Sequence, residues 1–171
     1  FPFVEAIRQM RWELGKNCAV IHLTLVPFLK AAGDLKTKPT QHSVKTMLEQ
    51  GVQPDIIVCR TERPLNDSIR AKIAQFCNVE VSSVIESIDA SSIYEVPILM
   101  LDEKLDIEVL RKTQTPLPEK FDITKWQHFL KRLNNPVHLV TVALVGKYVE
   151  LKDAYKSIHE AFIHGGVANE C

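Results

Sequence analysis

The densest group of chemically useful side chains lies in residues 33–45, which read GDLKTKPTQHSVK. Lys36, Lys38 and Lys45 surround a helix start marked by Pro39. The first turn of a helix offers free N–H groups and a partial positive charge, and ammonium groups add full charges, so the pattern suits a phosphate. A solvated basic loop with a threonine cap is the competing interpretation, and the pattern alone favours it because charge runs usually face water.

A second polar group, Cys59-Arg60-Thr61, follows an apolar run that predicts a buried strand. Doubly wound sheets bind ligands beyond the carboxyl ends of their strands, so Arg60 is a candidate ligand group. An ion pair with Glu62 or Asp55 is the alternative. His22 lies within an apolar run, and we interpret it as a core histidine with satisfied hydrogen bonds rather than as a general base.

Common catalytic motifs are missing from the sequence. With only 6 glycines, it contains no GxxxxGK[ST], no GxGxxG and no G-x-S-x-G. Its 4 cysteines form no CxxC pair, which argues against a zinc site or a disulfide framework and favours reduced, intracellular thiols. His159 and His164 are off the i,i+4 spacing of a helical zinc pair. The chain alone therefore lacks a recognisable catalytic centre.

Composition and charge indicate a folded globular protein and argue against nucleic-acid and membrane partners. The 171 residues are 46% hydrophobic and 25% charged, which suits one domain or one domain and part of another. Lys plus Arg and Asp plus Glu are each 21, and the net charge of +0 argues against nucleic-acid binding. No apolar run reaches the roughly 18 residues of a membrane span, so no membrane association and a cytoplasmic location are predicted.

Periodicity in the first part of the chain predicts alternating helices and strands. The first helix carries Phe3, Ile7, Met10 and Leu14 and ends at Gly15. Strands are predicted over 18–26, 56–59 and 84–85, and the first of them is expected to be covered on both faces. Two helices are predicted between the strands, and their apolar stripes are Val44, Met47 and Leu48 in one and Ile69, Ile73, Phe76 and Cys77 in the other. This order predicts an α/β fold with a mostly parallel, doubly wound sheet.

The second part of the chain is harder to interpret. Residues 93–111 are ambiguous between a strand and a broken helix, and Thr113 to Lys120 reads as a proline-containing linker. Beyond it we predict a helix capped by Asp122, a strand over 139–145, and a helix capped by Asp153. That last helix is expected to point Ala154, Ile158, Ala161 and Phe162 inward. The chain begins with Phe1 rather than Met, and we expect a piece of a longer protein.

Several motifs, taken together, resemble one family. The chain resembles CTP synthases of the bacterial type over essentially its whole length. The motifs that carry the resemblance are KTKPTQHSVK, GVQPDIIVCR, AKIAQFCNV, FPFVEAIRQ, HLTLVPFLKAAG, IYEVP and VALVGKYVELKDAYKSIHEA. The resemblance implies the end of a P-loop-kinase-like synthetase (amidoligase) domain at 1–112 and a linker with a short helix at 113–136. It also implies the first strand and helix of a class I glutamine amidotransferase domain at 137–171.

The activity implied by the resemblance is a ligase reaction of pyrimidine biosynthesis. UTP is phosphorylated on its 4-oxygen by ATP and then aminated to CTP with ammonia from glutamine. The implied cofactors are Mg²⁺, with ligands outside this segment, ATP as co-substrate and GTP as allosteric activator, and the implied assembly is a homotetramer. The phosphate loop is expected upstream of Phe1, and the glutaminase triad is expected downstream of Cys171. No catalytic or metal-binding residue is therefore expected in this segment, and the fragment alone is predicted to be inactive. A non-catalytic CTP-sensing or oligomerisation module is the alternative.

The resemblance also assigns binding residues. Lys36, Thr37, Lys38, Pro39, Thr40 and Gln41 match the UTP- and CTP-binding segment of the family, and Lys72 matches a second UTP- and CTP-contacting lysine. Ile88, Asp89 and Ala90 match a segment that contacts the adenine of ATP. Bacterial relatives commonly have Lys at the position of Ile88, so Asp89 is favoured over its neighbours.

Overall fold

A computed structural model describes residues 2–119 and 121–171. Phe1, which opens the FPFVEAIRQ motif, and Lys120, the last residue of the predicted linker, lie outside the described residues. The chain divides into two compact units, Phe1–Pro118 and Glu119–Cys171. No helix in the described part is long and apolar enough to cross a membrane.

The first unit is built on a small parallel sheet. Its strands are β1 (Ile21–Leu25), β2 (Phe28–Leu29), β3 (Asp34–Leu35), β4 (Ile56–Thr61) and β5 (Val84–Ile88). Its helices are α1 (Pro2–Leu14), α2 (Lys38–Glu49), α3 (Asp67–Cys77), α4 (Val96–Asp102) and α5 (Leu105–Lys112). β1, β4 and β5 lie side by side in that order and run parallel, whereas β2 and β3 form a separate antiparallel hairpin.

β4 is the centre of the core because both of its faces are covered. Ile57 and Cys59 are fully buried in the cluster that includes side chains of α2 and α3. Ile56 and Val58 point to the opposite face, where they pack against Met100 from α4 and against α5. Helices on both faces of a parallel sheet confirm the predicted α/β class.

β1 differs from its prediction. We expected it to be covered on both faces, but Ile21, Leu23 and Leu25 are 45%, 67% and 54% exposed. β1 lies at the edge of the three-stranded sheet, and α4 and α5 pack against β4 and β5 on that face. The opposite face of β1 carries His22 and Thr24 and lies against α2.

The helix ends follow the residues that favour them. Gly15 and Gly51 have φ values of +53° and +77°, in the left-handed region that glycine tolerates, and they follow α1 and α2 as predicted. Asn66 caps α3 by accepting a hydrogen bond from the Ile69 N–H at 2.9 Å. The ambiguous residues 93–111 form α4 and α5, and Pro97 sits in the first turn of α4, where its missing N–H costs nothing.

The second unit contains α6 (Thr124–Asn134), a 3-10 turn (Lys152–Tyr155) and α7 (Lys156–Ala168). The N-cap residue of α6 is Ile123 and not the predicted Asp122, although Asp122 accepts a hydrogen bond from the Thr124 N–H at 2.9 Å. The rings of Trp126 and Phe129 stack with centroids 5.3 Å apart. One face of α6 is half-buried, and it carries Trp126, Phe129, Leu130 and Leu133.

The strand prediction for the second unit is wrong. Residues 139–145 form no strand, and Leu139 and Val145 are 96% and 92% exposed. An apolar, β-branched run becomes a strand only when a neighbour completes its hydrogen bonds, and the described residues contain no strand paired with it.

The packed face of α7 also differs from the prediction. Ala154, Ile158, Ala161 and Phe162 are exposed, whereas Val167 is buried. Asp153 lies in the 3-10 turn and does not cap α7, whose N-cap residue is Tyr155. The 3-10 turn places the N-cap of α7 two residues later than predicted, at Tyr155 instead of Asp153.

Candidate functional site

The hairpin of β2 and β3 delivers the basic segment to the start of α2. The Lys36 N–H donates to the Pro27 carbonyl oxygen at 2.9 Å, which anchors the segment next to the end of β1. α2 then begins at Lys38 with Pro39 in its first turn. The first N–H groups of a helix have no acceptor within the helix, so this turn presents donors and a partial positive charge.

The basic segment and α3 together form a cavity of about 400 Å³. Its lining comes from the hairpin, from the start of α2 and from one residue of α3: Asp34, Leu35, Lys36, Thr37, Lys38, Pro39 and Lys72. Lys72 lies on the exposed side of α3, opposite the buried Ile73. The structure therefore brings Lys72 together with Lys36 to Pro39, although 33 to 36 residues separate them in the chain.

More basic than acidic residues line the cavity. Three lysines, Lys36, Lys38 and Lys72, line it together with one aspartate, Asp34. Lys36 Nζ lies 3.2 Å from Asp34 Oδ2, with side chains 39% and 59% exposed. Exposed ion pairs of this kind contribute little to stability, so Lys36 is free to exchange Asp34 for an anionic ligand.

Thr40 and Gln41 do not line the cavity. Thr40 is fully buried, and its Oγ1 donates to the Leu25 carbonyl oxygen at 3.2 Å. Gln41 is 8% exposed and donates from Nε2 to Thr37 Oγ1 at 3.1 Å. Both side chains are thus engaged in hydrogen bonds within the protein.

The three residues matched to an ATP-binding segment lie elsewhere, at the carboxyl end of β5. The Asp89 N–H donates to the Thr61 carbonyl oxygen at 3.1 Å, and Asp89 Oδ1 lies 3.4 Å from an Arg60 nitrogen. Ile88 and Ala90 are half-buried. This segment adjoins the end of β4, as expected for a sheet whose strands are parallel.

Arg60 has a different partner from the two that the sequence offered. It pairs with Asp89 rather than with Glu62 or Asp55. Asp55 is bound by Arg11, whose Nη2 donates at 2.8 Å, and by the Val20 N–H at 2.8 Å. Burial raises the pKa of Asp55, but these hydrogen bonds outweigh it and the pKa lies below its ordinary value.

Other groups considered as chemical candidates are structural. His22 Nε2 lies 2.8 Å from Ser43 Oγ, and burial lowers the pKa of His22, which agrees with a satisfied, neutral core histidine. Burial raises the pKa of Cys59 to about 12 and that of Cys77 to about 11, so both thiols stay protonated and unreactive at neutral pH. Residues 2–119 and 121–171 contain no group of three or more His, Cys, Asp or Glu side chains placed to hold a metal ion.

Sequence reasoning missed two lining residues, Asp34 and Leu35. The signal was present for Asp34, because a carboxylate two residues from Lys36 on an extended segment shares its side of the strand. From periodicity, Lys72 reads as a surface lysine, and only the family resemblance indicated a role for it.

The parallel sheet with helices on both faces is the architecture of α/β domains that bind ligands beyond the carboxyl ends of their strands. A family model described as CTP synthase N-terminus matches residues 1–115. The chain therefore belongs to this family.

Relatives named CTP synthase align with nearly the whole chain. The chain is 61% identical to one from Cytophaga hutchinsonii over 171 residues, which is 99% of this chain and 32% of that relative. It is 59% identical to one from Flavobacterium johnsoniae and 54% identical to one from Bacteroides fragilis, again over 99% of this chain and 32% of the relative. The chain thus spans about a third of the length of these curated relatives.

Proposed function

We propose that the chain is a segment of a CTP synthase and that its cavity binds the triphosphate of UTP, or of CTP as an inhibitor at the same place. The observation that carries this proposal is the meeting of Lys72 with Lys36 and Lys38 around one cavity. Three ammonium groups at a helix N-terminus match the charge and the acceptor oxygens of a phosphate chain.

In this proposal the segment contributes binding rather than bond-breaking. Lys38 from α2 and Lys72 from α3 hold the phosphate chain from two elements, and Lys36 leaves Asp34 to neutralise further charge. Ile88, Asp89 and Ala90 contact the adenine of ATP, mainly through the Asp89 side chain and the neighbouring backbone.

The wider assignment follows the family. The full-length enzyme uses ATP and ammonia from glutamine to convert UTP to CTP, with GTP as activator, as a cytoplasmic homotetramer. Residues 1–112 are the C-terminal part of the synthetase domain, and residues 113–136 are the linker. Residues 137–171 are the start of a glutamine amidotransferase domain. Mg²⁺ is held by ligands outside this segment.

The test is steady-state conversion of UTP to CTP by the full-length protein. Lys36→Ala and Lys72→Ala each remove one charged hydrogen-bond donor from the phosphate chain. Because such bonds contribute about 1.5–3 kcal/mol, we expect the KM for UTP to rise about 10- to 100-fold in each variant.

Lys45→Ala is the matched control, because Lys45 is an exposed lysine of α2 outside the cavity. Its KM for UTP should stay at the wild-type value. If Lys36→Ala and Lys72→Ala keep that value too, the cavity is not the nucleotide site. Binding of CTP without any turnover of UTP by the full-length protein would instead support a sensing module.

A further inference from the structure

The side chains at the contact between β1 and α2 are polar, although helices normally pack on sheets through apolar side chains. His22 and Thr24 lie on the face of β1 beneath α2, and both are half-buried. Thr40 and Ser43 face them from α2. We name these four residues the polar seam.

Hydrogen bonds cross the polar seam at two points. Thr24 donates from Oγ1 to Thr40 Oγ1 at 3.2 Å, and Thr40 Oγ1 donates onward to the Leu25 carbonyl oxygen at 3.2 Å. His22 Nε2 lies 2.8 Å from Ser43 Oγ. Hydrogen bonds depend on direction and apolar contacts do not, so two crossing points define both the rotation and the axial position of α2 over β1.

The polar seam is connected to the cavity through the first turns of α2. Gln41, adjacent to Thr40, donates from Nε2 to Thr37 Oγ1 at 3.1 Å, and the Gln41 N–H donates to the Thr37 carbonyl oxygen at 3.1 Å. Thr37 and Lys38 line the cavity. Lys72 comes from a different helix, so its distance from Lys38 depends on where the first turn of α2 is held.

We infer that the polar seam positions the start of α2 so that Lys38 and Lys72 bind one phosphate chain. Thr40 serves the site as a positioning residue from inside the protein. This inference rests on the proposed function of the cavity, and its test separates the two.

The test uses Thr24→Val in the full-length protein, since valine keeps the shape of threonine and removes the hydroxyl donor. We expect the KM for UTP to rise about fivefold, equivalent to about 1 kcal/mol, while kcat and the KM for ATP stay within about twofold. Thr24→Ser, which keeps the hydroxyl, should restore the KM for UTP. Ser43→Ala removes the other crossing point and should raise the same KM.

The control is Thr46→Val, because Thr46 Oγ1 donates to the His42 carbonyl oxygen at 3.1 Å within α2 and does not reach β1. It should leave the KM for UTP unchanged. A wild-type protein that makes no CTP would refute the proposed function itself. If the wild type is active but Thr24→Val and Ser43→Ala keep its KM for UTP, or if the KM for ATP rises in parallel, the positioning role is refuted. Should Thr24→Val fail to fold, Ser43→Ala decides alone.

Discussion

At the scale of single residues, Asp34 opposes the charge of the cavity that it lines. Its Oδ2 lies 3.2 Å from Lys36 Nζ, and both side chains are exposed. A nucleotide triphosphate that binds Lys36 must therefore displace the Asp34 carboxylate from Lys36, and its phosphates then lie close to that negative charge.

Asp34→Asn removes this negative charge and keeps the side-chain shape. We expect the KM for UTP of the full-length protein to fall by about twofold at low salt, with a smaller change at high salt because added ions screen exposed charges. The measurement is the KM at two ionic strengths. Glu49→Gln, at the other end of α2, is the control with the same charge change, and a higher KM in Asp34→Asn would contradict the cationic role of the cavity.

Residue types predicted only part of this site. The spacing of Lys36 and Lys38 before Pro39 was compatible with an anion site, but the pattern alone favoured a solvated loop. The structure places both lysines at one cavity. Lys72 could not be found from periodicity, because an exposed lysine on a helix carries no signal until the neighbouring helix is positioned. The environment of Thr40 could not be predicted from its residue type either. Although Thr40 is a polar residue in a basic motif, it is fully buried and hydrogen-bonded within the protein.

At the scale of secondary-structure elements, Arg70 ties three elements together. From α3 it donates to Glu103, at the end of α4, at 2.7 Å and 2.9 Å, and to the Val84 carbonyl oxygen of β5 at 3.0 Å. Glu103 also accepts the Glu86 N–H at 2.8 Å. Burial raises the pKa of Glu103, but the hydrogen bonds from Arg70 and Glu86 outweigh it, and the pKa lies below its ordinary value of 4.5.

A depressed carboxyl pKa implies stability that is present above the ordinary value of 4.5 and is lost as the pH falls through the lower, folded-state value. Glu103→Gln should therefore lower the free energy of unfolding by about 1–3 kcal/mol near neutral pH. The difference from wild type should shrink in acid below that folded-state pKa. Urea unfolding of both proteins near neutral pH and at an acid pH below the folded-state pKa measures this difference in the free energy of unfolding.

Glu5→Gln is the control for this prediction, because Glu5 pairs with Arg8 on the exposed surface of α1. It should change the free energy of unfolding less than Glu103→Gln does. Equal losses in the two variants, or a Glu103→Gln loss that does not depend on pH, would contradict the role of the Arg70 contacts.

Elements were predictable where their partners lie within the described part of the chain. The apolar run of β4 and the stripes of α2 and α3 have such partners, and the sequence predicted all three. Residues 139–145 carry as strong a strand pattern but have no paired neighbour among the described residues, and they form no strand. The burial of β1 was overestimated for a related reason, since the pattern shows which residues are apolar and not how far the covering helices extend.

At the scale of the whole molecule, the neutral overall composition hides a local concentration of positive charge. Lys plus Arg and Asp plus Glu are each 21, yet three lysines and one aspartate line the cavity. The chain spans about a third of the length of its relatives. In the function that we propose, this segment supplies part of a binding site.

The most direct test of the central claim is an experimental structure of the full-length protein with UTP. We expect the triphosphate in the cavity between the start of α2 and α3, with phosphate oxygens about 2.7–2.9 Å from the Nζ atoms of Lys38 and Lys72. Thr40 should keep its hydrogen bond to the Leu25 carbonyl oxygen. A triphosphate bound away from both lysines would contradict the proposed function.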